Sequence, residues 1–189
     1  MSLARKMARK VKKAWRDGEI KTERNAKRAE VNVKTAYVTQ LAYNQAVRVE
    51  TMQNCQLLFM YAMHKQFKFG RERLIKLRNK MQSEYDAIKA GNVSVDEIEN
   101  YLSVVEDLEC RDSYLHKVEG TEKKIARKVV NELSAAFLMA LLDEFNYKKG
   151  RLSAAYDCAA FWSKQLQNKA ISIEEIEKEL TRVMERGCK

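Results

Sequence analysis

From Glu19 to Phe69 the chain runs without a glycine, and no proline occurs anywhere in its 189 residues. Sheets need turns, and turns draw on Gly, Pro and Asn-Gly pairs. Only six glycines are present, beside abundant Ala, Leu, Lys, Glu, Arg and Met, the residues that favour helix. The chain therefore reads as all-α. Val31, Val38, Ala42, Val49, Met52, Leu58 and Met63 recur at roughly helical spacing. The first helix is thus expected to be very long, and its apolar stripe needs a second copy or another chain to cover it.

The phrase NVSVDEIENYL at 92–102 returns as AISIEEIEKEL at 170–180. Sliding the chain by 78 residues (172 − 94 = 78) gives ten identities over residues 56–102 without a gap, among them Phe59/Phe137, Phe67/Phe145, Arg73/Arg151, Leu74/Leu152 and Leu102/Leu180. Ser94 with Glu97, and Ser172 with Glu175, form S-x-x-E capping boxes, in which each side chain satisfies a backbone N–H at the helix start. Val93 with Ile98, and Ile171 with Ile176, take the positions of a hydrophobic staple. The phrase marks the third helix of a duplicated unit. The expected fold is two tandem copies of a three-helix unit (long helix, basic hairpin helix, capped short helix) with a long N-terminal helix. It divides into a basic amphipathic arm at 1–30, a basic repeat at 31–110 and an apolar repeat at 111–189.

The net charge of +10 is unevenly placed. Residues 1–30 carry 11 Lys/Arg against 4 Asp/Glu (+7), residues 56–83 carry 7 against 1 (+6), and residues 84–115 carry 2 against 9 (−7). Lys65, Lys68, Arg71, Arg73, Lys76, Arg78 and Lys80 crowd the first hairpin with only Glu72 among them, whereas the matching stretch 142–158 is neutral. Such a cationic hairpin suits phosphate contacts, or simply solvates an exposed helix. In the arm, Leu3, Met7, Val11 and Trp15 line one face, and cations including Arg9, Lys10 and Lys13 cover the rest. That arm fits a nucleic acid, a docked protein or a membrane surface. The second copy reads SAAYDCAAFW at 153–162, apolar nearly all round. Tyr156, Phe161 and Trp162 are expected in a central core helix or a homodimer seam.

No catalytic constellation is legible. His64 and His116 sit in no metalloprotease or deaminase pattern, and no nucleophile elbow or phosphate-binding glycine loop occurs. His64 reads as a half-buried structural residue. Carboxylate pairs such as Asp107/Glu109 are common on helices. Cys55, Cys110, Cys158 and Cys188 have no zinc spacing, which suits a reducing compartment. No run of about 18 apolar residues offers a membrane span. Neither an enzymatic activity nor a cofactor or metal is expected.

The segment 59–102 resembles a module of small all-helical accessory proteins of bacteriophages and prophages of Gram-positive hosts. His64, Phe67, Phe69, Gly70, Arg73, Leu74, Ser94 and Ile98 carry the match. The second copy keeps Phe145, Arg151, Leu152, Ser172 and Ile176, lacks the histidine and displaces the glycine. Some phage proteins of this size and character resemble anti-CRISPR inhibitors of Cas9-type nucleases. The resemblance implies a non-enzymatic binder in the host cytoplasm whose partner is nucleic acid or a host nucleoprotein such as a CRISPR effector. The alternative is a transcription or packaging accessory protein, with the turn at 67–70 acting as a helix-turn-helix.

Overall fold

The computed structural model describes residues 3–106 and 120–185, all of them helical or in short connections. Six helices follow in order: α1 Leu3–Phe67, α2 Arg71–Lys89, α3 Val95–Glu106, α4 Thr121–Phe145, α5 Lys149–Gln167 and α6 Ile173–Glu185. No strand occurs among the described residues. Two compact units divide the chain, Met1–Gln45 and Ala46–Lys189. The boundary expected at 30/31 falls inside α1, which is unbroken there, and the boundary at 110/111 lies outside the described residues.

Helix ends are set by local chemistry. At the end of α1, Lys68 takes a left-handed φ of 55°, and at the end of α4, Asn146 takes 52°. Those turns let Phe69 N–H reach the Met63 carbonyl (3.4 Å) and Tyr147 N–H the Leu141 carbonyl (3.1 Å). Helices α2 and α5 close with Schellman motifs. Gly91 N–H bonds Ile88 O (3.1 Å) and Asn92 N–H bonds Ala87 O (3.0 Å), while Lys169 N–H bonds Leu166 O (3.0 Å) and Ala170 N–H bonds Gln165 O (2.9 Å). Both capping boxes form. Glu97 N–H donates to Ser94 Oγ at 3.2 Å and Ser94 N–H to Glu97 Oε2 at 2.7 Å. Ser172 and Glu175 repeat the pattern at 3.2 and 2.8 Å. The two bonds from Ser94 hold the Glu97 carboxyl below its usual range.

In the unit Ala46–Lys189, the second half of α4, from Leu133 to Leu142, is apolar nearly all round. Leu133, Ala136, Phe137, Leu138, Ala140 and Leu141 are all buried, as a helix surrounded by others must be. Helix α2 packs against it through Leu74, Leu77, Met81 and Tyr85, an i, i+3, i+7, i+11 stripe. Helix α5 meets α1, with Trp162 edge-on to Tyr61 at 4.9 Å and Cys158 Sγ 3.6 Å from the Ala62 carbonyl. Helices α3 and α6 turn Ile98 and Leu102, and Ile176 and Leu180, inward. Fully burying each such side chain contributes about 1.5–3 kcal/mol. Between α1 and α4, Phe59 and Phe137 stack at 4.5 Å and 4°. Beyond them Phe67 meets Tyr147 (5.2 Å) and Phe69 meets Phe145 (4.9 Å).

Of the two readings of 153–162, this packing gives Tyr156 and Trp162 the place of core residues within the chain. Tyr156 is buried and Trp162 packs on Tyr61 of the same chain. Only Phe161 of the three is exposed, at 53%.

Candidate anion-binding surfaces

Three cations of the first hairpin, Lys65, Lys76 and Lys80, face carboxylates, while Lys68, Arg73, Lys76 and Arg78 remain exposed. Lys65 is half-buried, donates to Glu179 of α6 and lies 5.0 Å from the Tyr61 ring centre. That hydrogen bond raises the Lys65 ammonium and holds the Glu179 carboxyl below its ordinary range. Lys80 bonds Glu84 at 2.6 Å and Asp143 at 3.2 Å, and the bond to Glu84 raises its pKa. Lys76 lies 3.6 Å from Glu144 and is 65% exposed. The Arg73 guanidinium sits over the Phe69 ring at 5.5 Å. Arg78 lines a shallow groove with Glu177 and Glu185 of α6. Lys68 is exposed on the left-handed turn and Arg71 is partly exposed at the start of α2. The cause is topological. Helix α2 packs on α4, so Asp143 and Glu144 neutralise α2 rather than their own hairpin. Sequence reasoning missed Asp143, Glu144 and Glu179 as counter-charges.

The N-terminal half of α1 differs. Lys10, Lys12, Lys13, Arg16, Lys21, Arg24, Lys27 and Arg28 are all exposed. At about 100° per residue, these eight fall within one half of the helix circumference, with Asp17, Glu19 and Glu23 the only acids between them. The stretch has a net charge of +5 (8 − 3 = +5). Its described ion pair is Lys27–Glu23 at 3.1 Å, whose side chains are 74% and 69% exposed, so it neutralises little. The opposite face carries Thr22, Asn25, Ala26, Ala29 and Val33. The side chains of Arg9, Leu3, Met7, Val11 and Trp15 lie outside the described part of the structure.

His64 holds the first turn. Its Nδ1 is 2.9 Å from the Phe69 carbonyl, and a carbonyl only accepts, so the proton is on Nδ1. Its Nε2 lies 3.8 Å from Glu179. His116, Cys110, Cys188, Asp107 and Glu109 lie outside the described residues. Burial pushes the Cys55 thiol up to about 12. Among the described residues no three His, Cys, Asp or Glu side chains are placed to hold a metal ion. Nor, among them, is any helix long and apolar enough to cross a membrane. No protein-family model matches the chain, and neither a curated protein nor a solved structure is similar to it.

Proposed function

We propose that the chain binds the phosphate backbone of a nucleic acid, free or within a nucleoprotein, through the N-terminal half of α1. One observation carries this reading: eight exposed cations share half the circumference of a helix between residues 10 and 28. That stretch is about 27 Å long at ~1.5 Å per residue. A duplex presents one charge per ~1.7 Å of its axis, and a continuous basic helix is a known way to track a groove. The hairpin Lys68, Arg71, Arg73 and Arg78 is secondary, because its neighbours Lys65, Lys76 and Lys80 face carboxylates. A CRISPR effector is one nucleoprotein whose bound strands offer the same phosphates, and a phage inhibitor of such an effector is a special case of this reading.

We also propose that the frame carrying α1 arose by duplication of a three-helix module. Supporting this, α2 and α5 begin 78 residues apart (149 − 71 = 78), and so do α3 and α6 (173 − 95 = 78). The left-handed residues Lys68 and Asn146 correspond, as do Gly91 and Lys169. Arg73 over Phe69 and Arg151 over Tyr147 are both at 5.5 Å. The crossed pairs Phe67–Tyr147 and Phe69–Phe145 exchange under the same shift.

The test is fluorescence anisotropy with a duplex of about 24 base pairs across a salt series. If five cations are neutralised, the slope of log K on log salt is about −4.5, a loss of about 500-fold between 50 and 200 mM. Replacing Lys13, Arg16, Arg24 and Arg28 by Gln is expected to flatten that slope by three to four units (about 0.9 per contact). Replacing Lys68, Arg73 and Arg78 by Gln is expected to change it by less than one. No binding at 50 mM, or an unchanged slope in the first variant, overturns the reading.

A further inference from the structure

Between α1, α4, α5 and the start of α6 lies a cavity of about 280 Å³, half open to solvent. Its floor is apolar and buried, formed by Leu58, Phe59, Tyr156 and Ala159. Its rim is polar and half-buried, with Thr51, Asn54, Ser134 and Ser163. None of the residues lining it is acidic or basic. A cavity of roughly 150 Å³ takes one benzene ring, so this one has room for about two fused rings.

The other half of the unit shows what the same space holds when it is filled. The comparison uses the 78-residue register and so rests on the duplication reading. Where the cavity has Ser163, the matching position is Tyr85, buried to 7% exposure; where it has Ala159, the match is Met81, fully buried. Asn54 corresponds to Glu132, which is buried beside Lys89 (3.5 Å) and Lys128 (3.9 Å). Ala126 corresponds to Arg48. There the chain supplies a phenol ring and a flexible thioether to its own interior, with the Lys89 ammonium 5.9 Å from that ring. Burial and the Glu132 charge raise the Tyr85 hydroxyl pKa, so it stays a neutral phenol. On the cavity side those atoms are missing, and the charged members are replaced by an amide and a methyl group.

We infer that this cavity is a binding site for an uncharged, largely apolar small molecule of about two fused rings, carrying one hydroxyl or amine-type hydrogen-bonding group. Such a ligand replaces the ring and thioether that the filled half provides from within. Its polar group meets the hydroxyls and amide of the rim, since a buried polar atom needs a partner. A carboxylate finds no cation there to offset its desolvation. The Cys55 thiol at the wall stays protonated, so binding is non-covalent.

The experiment titrates the full-length protein with 2-naphthol and follows alanine, valine and leucine methyl signals by NMR, together with the thermal midpoint. Saturable shifts are expected at Ala126, Val130, Ala159 and Leu166, with a midpoint that rises with ligand concentration. 2-Naphthoate is expected to bind at least tenfold more weakly. Ala159→Met and Ser163→Tyr copy the filled half; both are expected to abolish binding without lowering the thermal midpoint. Absence of saturable shifts in the wild type, shifts centred elsewhere, equal affinity for naphthoate, or undiminished binding by Ala159→Met each overturns the inference. If neither variant folds, the position of the wild-type shifts alone decides. Nucleic-acid affinity is read separately through residues 10–28, so failure here leaves that reading intact. Failure of the 78-residue correspondence shows instead as a Ser163→Tyr protein that loses stability while the wild type still binds naphthol.

Discussion

Removing one ring of the Phe59–Phe137 stack tests whether the unit Ala46–Lys189 is one cooperative body. Phe137 is fully buried, Phe59 is 5% exposed, and the rings lie parallel at 4.5 Å. Phe137→Ala therefore removes a whole buried ring from the middle of α4, and a truncation of that kind costs about 3–5 kcal/mol. Stacking contributes about 0.5–1.5 kcal/mol of this beyond area burial. With an unfolding entropy of ~2.1 cal/mol/K per residue over about 140 residues, a loss of 4 kcal/mol lowers the melting temperature by about 14 °C. Phe161→Ala is the control, because Phe161 is half-exposed; its cost is expected to be below about 1 kcal/mol. Urea unfolding followed by circular dichroism gives both numbers. A double-mutant cycle with Phe59→Leu and Phe137→Leu isolates the ring–ring term, expected at about 1 kcal/mol. The reasoning fails if Phe137→Ala produces two separate transitions with the first half unaffected. A coupling energy near zero refutes the stack as a bond between the halves.

Two further outcomes follow from the turn and salt-bridge geometry. Lys169 holds φ 56° where its counterpart is Gly91 at 75°; Lys169→Gly is expected to stabilise by up to about 1 kcal/mol and Gly91→Ala to destabilise by a similar amount, both read from urea midpoints. Glu179 is held below its ordinary range chiefly by the Lys65 hydrogen bond, so its folded pKa lies below the unfolded one. Its contribution is then full above about pH 4.3 and is lost as pH falls through the folded value. Lys65→Met is accordingly expected to cost about 0.5–1 kcal/mol at pH 7 and close to nothing at pH 2.5, a difference that equal costs at both pH values refute.

Much of the frame was legible in the residues. The capping boxes Ser94/Glu97 and Ser172/Glu175 are local, spanning three residues, so spacing alone locates α3 and α6. The absence of glycine from 19 to 69 was enough to expect a continuous α1. What stayed hidden was long-range. Nothing in the spacing of Lys76 and Lys80 indicates that α2 lies on α4 rather than on its own hairpin partner. Net charge counted segment by segment therefore made the hairpin look unopposed, when Asp143 and Glu144 stand against it. For Tyr156 and Trp162 the sequence left a core helix and a homodimer seam both open, because an apolar run signals burial without saying by whom. The cavity is harder still, since it depends on which small residues fall on facing positions of α1, α4 and α5.

The charges across the seam also bear on why two modules would be joined in one chain. In a symmetric pair of identical modules every contact occurs twice. Here Lys65–Glu179 maps under the 78-residue shift onto Asp143 and Tyr101, and Lys80–Asp143 maps onto Cys158 and Lys65. Neither image is an ion pair. Pairing the first module with a copy of itself sets Lys80 against Lys65, and pairing the second with itself sets Asp143 against Glu179. Both like pairings bring equal charges together, while the mixed pairing in the chain joins opposite ones. Specificity gained by penalising the wrong partner is a general device; under the proposed duplication it requires that the two halves differ in sequence at these positions. Under the same proposal, linkage relieves each half of the need to fit itself. One half can fill its interior with Met81 and Tyr85 while the other leaves that space open beside Ala159 and Ser163.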